Sequence, residues 1–125
     1  MTAHVHFDIE DMIRRTRAGI ESGAAAAIAA APDEDSKRFY EIQRRLHLAH
    51  VDGHAELLRF FNEGHDTQQI ANAAAVVTSA AIHSYEGLFG AAFNILLARQ
   101  MQRVQAGAVA HPGHVEIVAT EGGRA

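Results

Sequence analysis

Residues 32–67 read PDEDSKRFYEIQRRLHLAHVDGHAELLRFFNEGHDT, and the punctuation at the two ends of this stretch decides how the chain folds. Pro32 stops the segment before it, because the residue preceding a proline is pushed out of the helical region. Asp33, Asp35 or Ser36 can then cap a helix by accepting hydrogen bonds from its first free amides, and the acidic cluster suits the positive end of the helix dipole. At the far end Gly64 is a good residue for the left-handed turn that closes a helix, and Asp66 or Thr67 can cap the next one. Only about two to four residues remain for the connection, so the helices on either side are antiparallel neighbours.

Working outward, Ile13, Ile20 and Ile28 sit in an Ala-rich run that ends at Pro32, which predicts a first helix over about 10–30. The second spans about 35–63. The third runs from about 67 to 105 without a proline, although Gly87 and Gly90 can bend it. At 1.5 Å per residue a helix of ~38 residues reaches ~57 Å, longer than a domain of this size is wide, so the reading is that it kinks near Gly87 or projects into a partner. Alternation in Ala3-His4-Val5-His6-Phe7-Asp8-Ile9 predicts a strand over about 3–9, and His114-Val115-Glu116-Ile117-Val118-Ala119 predicts a second over about 114–120 that could pair with it. The expected fold is a single mainly α domain over 1–125, an antiparallel bundle of about three helices with short terminal strands.

Composition bounds the function. The 125 residues include 25 Ala, against 30 for Leu, Ile, Val and Phe together, so the core is thin and closely packed. A formal charge of −4 leaves no broad basic face for phosphates, which argues against a nucleic-acid partner. The absence of cysteine removes disulfides, thiol catalysis and cysteine-based metal sites. The first twenty residues show no apolar signal region, which makes a cytoplasmic location the default expectation. Residues 70–98 are largely apolar, but Thr78, Ser79, His83 and Glu86 interrupt them, short of the ~20 apolar residues a bilayer requires. A buried helix in a homo-oligomer, with a dimer favoured, is the expected alternative to a membrane span.

The histidines are the main candidates for chemistry. His47, His50 and His54 are spaced by three and four, within about 60° of one another on a helix, amid Phe39, Leu46, Leu57, Leu58 and Phe61. The column is therefore expected to be buried and to meet hydrogen-bonding groups, a ligand or a metal. Gln68, Asn72, Ser79, His83, Glu86 and Asn94 form the one polar stripe of the third helix. If that stripe faces the column, His47, His50, His54, His83 and Glu86 could bind a divalent transition metal such as Zn, Fe or Mn. A small-ligand pocket would use His50 and His54 as polar contacts and Phe60, Phe61 and Tyr85 as walls. Alternatively the histidines form a polar seam with no ion. Buried neutral imidazoles resist protonation, so this reading predicts stability falling below pH ~6.5.

His4, His6, His111 and His114 would cluster at the surface if the terminal strands pair. Arg14, Arg15 and Arg17 read as a solvated basic face. No serine sits in a nucleophile elbow, no glycine loop cradles phosphate, and neither a Glu-x-x-His nor a His-Glu-x-x-His motif is present. The leading expectation is a non-enzymatic homo-oligomer that acts by assembly or by binding a protein partner or small ligand, with a metal-binding protein or metal-dependent enzyme as the alternative.

Overall fold

The computed structural model describes residues 6–107, which form four helices: α1 (Ile9–Ala30), α2 (Glu34–Asn62), α3 (Thr67–Phe89) and α4 (Ala92–Gln105). The protein is mainly helical, and the described residues include no strand. They divide into two compact units, one of residues 10–52 and the other of residues 6–9 and 53–107, with the division falling inside α2.

The first unit, which holds α1 and the leading part of α2, includes the buried Ile20 and Val51. Arg44 clamps Glu21 through two bonds, Nε to one carboxylate oxygen at 2.6 Å and a terminal guanidinium nitrogen to the other at 3.1 Å. This fork-on-carboxylate geometry is the strong form of the pair. The arginines of α1 lie on the surface as expected and are paired there: Arg14 and Arg15 with Asp11, Arg17 with Asp52. Asp33 caps α2, accepting the Ser36 amide at 2.7 Å.

The second unit buries Ala55, Leu58 and Ile70. α2 ends in a Schellman turn: Gly64 at φ 84° donates its amide to the Phe61 carbonyl, and His65 donates to that of Phe60. The Phe60 and His65 rings meet edge-on at 5.4 Å, the side-chain contact that accompanies such a turn. Asp66 caps α3 through the Gln69 amide, as its position foretold.

Two expectations need correction. The predicted helix over 67–105 is two helices, broken where Gly90 takes φ 75° and Ala91 begins a new turn. A positive φ costs a residue without a Cβ nothing, and the Gly90 amide still closes α3 on the Glu86 carbonyl at 2.7 Å. Of the predicted strand over 3–9, residues 6–8 are irregular and Ile9 begins α1. Phe7 is instead held by one side chain: its amide donates to Asn62 Oδ1 at 2.7 Å, and Asn62 Nδ2 donates to its carbonyl at 2.8 Å. An amide side chain has offered the donor and acceptor that a neighbouring strand would have offered. The strand predicted over 114–120, and the cluster involving His4, His111 and His114, lie outside the described residues.

Candidate functional site

The histidine column on α2 is not buried: no polar or charged residue among those described falls in the core. His50 is exposed and donates from Nδ1 to the Leu46 carbonyl at 2.7 Å, one turn back on its own helix. His47 and His54 are half-buried. The reason is that α2 carries apolar residues on two sides. Val51, Ala55 and Leu58 enter the core, whereas Phe39, Ile42 and Leu46 stay exposed; of the apolar residues from which the column's burial was inferred, only Leu58 is in the core, Leu57 and Phe61 are half-buried, and Phe39 and Leu46 are exposed. At His54 the Nε2 itself is buried, and it makes no hydrogen bond.

On α3 the His83 side chain is 90% exposed and stands 3.7 Å from Glu86 Oε1. Glu86 in turn accepts a hydrogen bond from the Asn94 side-chain amide. Glu86 and Asn94 were placed on one stripe of a continuous helix; they meet because the chain breaks between them and α4 turns back on α3. Gly90 is the signal that could have found this pairing. Among the described residues no group of three or more His, Asp or Glu stands close enough to hold a metal ion.

The predicted ligand walls each pack against a different ring. Phe60 meets His65, Phe61 meets Phe7 at 5.9 Å, and Tyr85 meets Phe93 at 5.1 Å. Asn62, which ties down the residues leading into α1, was not singled out from the sequence; a lone Asn at a helix end carries no motif.

What the structure does present is apolar surface. Among the described residues ten large apolar side chains are more than half exposed, in three groups: Phe39, Ile42 and Leu46 on α2; Val76, Val77, Leu88 and Phe89 on α3; Ile95, Leu96 and Met101 on α4. Their surroundings differ in charge. On α2 the exposed group is flanked by Arg38 and Arg45, and on α4 Arg99 and Arg103 follow Ile95 and Leu96 by one and two turns on the same side of the helix. From Thr67 to Tyr85, by contrast, α3 carries no Asp, Glu, Lys or Arg. None of the described helices is long and apolar enough to cross a membrane.

No protein-family model, curated protein or solved structure matches this chain.

Proposed function

We propose that this chain is a non-enzymatic, homo-oligomeric helical protein that acts by assembly, presenting a partner or small ligand with a surface that one copy alone does not complete. The observation that carries this reading is the imbalance between inside and outside. Among the described residues five apolar ones are in the core, and ten large ones are more than half exposed. Single exposed apolar residues are ordinary, but contiguous exposed apolar patches mark surfaces that another molecule covers. A dimer is the form favoured, because two-fold closure is the simplest way for one patch to cover itself.

Sedimentation velocity of the untagged full chain across about a hundredfold concentration range tests the reading, since self-association shifts by mass action. The expected result is a sedimentation coefficient that rises to that of a dimer or a small closed oligomer. A chain that stays monomeric throughout overturns it.

A second reading, that α2 holds a divalent metal or a small ligand, keeps one specific support in the orphaned Nε2 of His54. A buried nitrogen without a partner costs about 1–3 kcal/mol, which a bound group would recover. Elemental analysis of protein never exposed to a metal-charged resin decides this: stoichiometric metal that disappears in His54→Ala establishes a site, and its absence from the wild-type chain removes the metal half of the reading.

A further inference from the structure

We infer that the self-association surface is the outward seam of α3, formed by Ala73, Val76, Val77, Ala80, Ser84 and Gly87, packed antiparallel on the same seam of a second copy about a two-fold axis at Ala80. The inference rests on the homo-oligomer reading above and adds to it the place and the register of the contact.

Spacing is the first ground. Ala73, Ala80 and Gly87 recur every seven residues, as do Val77 and Ser84, and a seven-residue repeat stays on one side of a helix along its length. All six residues are exposed, Val76 and Val77 at 68%, while Ile82 and Tyr85, on the other side of α3, are half-buried, and the buried Ile70 lies one turn before the seam at its edge. The seam spans ~21 Å, at 1.5 Å per residue.

Charge is the second ground, and it separates the three exposed apolar faces. A two-fold axis sets residues near it against their own copies, so a like charge there is repelled by itself. The α4 face would bring Arg99 and Arg103 toward their duplicates, and the α2 face is flanked by Arg38 and Arg45. The α3 seam has no charge on it and none in the helix until Glu86. A partner selected by complementary charge would find nothing to pair with here; a second copy of the same neutral seam finds no repulsion.

Size sets the register. Antiparallel packing centred on Ala80 places Val76 opposite Ser84 and Ala73 opposite Gly87, larger against smaller, as facing layers interdigitate, and sets Val77 opposite His83. Parallel packing would set valine on valine and glycine on glycine, leaving a gap at one end. A Cβ built at Gly87 meets nothing within 4 Å in the single chain, so the space beside it is open to the partner helix.

The chain contains no cysteine, so one introduced thiol gives an unambiguous cross-link. Ala80→Cys, at the axis, is expected to form a disulfide-linked dimer under mild oxidation, while the comparably exposed Leu46→Cys and Leu96→Cys stay as single chains on a non-reducing gel. Ala80→Glu, which sets two carboxylates face to face, is expected to weaken association at least about tenfold in sedimentation, with helix content by circular dichroism unchanged. A chain that is monomeric throughout sinks both this inference and the reading beneath it. An oligomer in which Ala80→Cys cross-links no better than the two controls sinks the α3 seam alone, and that cross-link decides the matter should Ala80→Glu fail to fold.

Discussion

Between Glu10 and Asp52 the helices are covered in ion pairs, seven of them, whereas between Thr67 and Ala98 the only carboxylate or cation is Glu86. The pairs of the first region join Arg14 and Arg15 to Asp11, Arg17 to Asp52, Lys37 to Glu34, Arg38 to Asp35, and Arg44 to both Glu21 and Glu41. Such pairs contribute little to stability individually, typically below ~1 kcal/mol, but they keep a helix surface hydrated. The second region has no comparable coat and leaves Val76, Val77, Leu88 and Leu96 in the open. Two stretches of similar helical character thus differ in what surrounds their apolar surface: the exposed Phe39, Ile42 and Leu46 of the first lie among paired charges, and the exposed side chains of the second do not.

If the regions differ only in what they present outside, their interiors should respond alike to truncation. Ile20→Ala in the first and Ile70→Ala in the second each remove a buried branched side chain, and each is expected to cost about 2–5 kcal/mol in urea unfolding. A far smaller loss at Ile20 would mean that the first region is held by its ion pairs rather than by its core, and the contrast would then reach inside the molecule.

A smaller effect tests whether the second region opens independently. Gly90→Ala forces a Cβ into a backbone conformation, φ 75° and ψ −169°, that is essentially confined to glycine, for about 1–3 kcal/mol. Loss of amide-exchange protection is expected in α4 and the last turn of α3, with α1 unchanged. Uniform loss across both regions would show that they unfold as one.

The smallest effect separates the regions by acid. The Arg44 guanidinium, by hydrogen bond first and by charge second, holds the Glu21 carboxyl below its ordinary value of 4.5. The Ser36 amide and hydroxyl likewise lower Asp33 from 3.8. A carboxylate whose folded pKa is depressed contributes stability that is present above the unfolded value and lost as pH falls through the folded one. Thermal stability is therefore expected to hold from neutral pH to about 4.5 and to decline below it, with the loss reporting on residues 10–52. In Glu21→Gln the decline should be shallower. A fall that sets in near pH 6.5 would instead restore the buried histidine column that the sequence had led us to expect.

What could be read in advance followed locality. Pro32, Asp33, Gly64 and Asp66 were legible because each acts within one helical turn, through a fixed φ, a missing amide or a short side-chain cap. Gly90 was visible as a possible bend, but no local rule says whether a glycine bends a helix or ends it; the turn is completed by Glu86 and Asn94, eight residues apart. The strand reading failed because alternation over 3–9 specifies which side chains share a side, not what pairs with the backbone, and Asn62 supplies that pairing from 55 residues away. The histidine column failed for a related reason. Helical angles placed His47, His50 and His54 among apolar residues correctly, yet α2 has apolar residues on two sides, and which side is covered depends on the rest of the fold.

The grip of Asn62 on Phe7 has an unequal effect on the two positions. Asn62 acts through its side chain, and aspartate or leucine there would forfeit the donor, or both donor and acceptor. Phe7 contributes only its amide and carbonyl to that pair of bonds, which every residue except proline possesses. Position 7 can therefore drift among residue types, limited chiefly by the ring contact with Phe61, while position 62 cannot. A saturation library scored for folding would register the attachment as intolerance at one site and near-indifference at the other, broken at position 7 by a single forbidden letter.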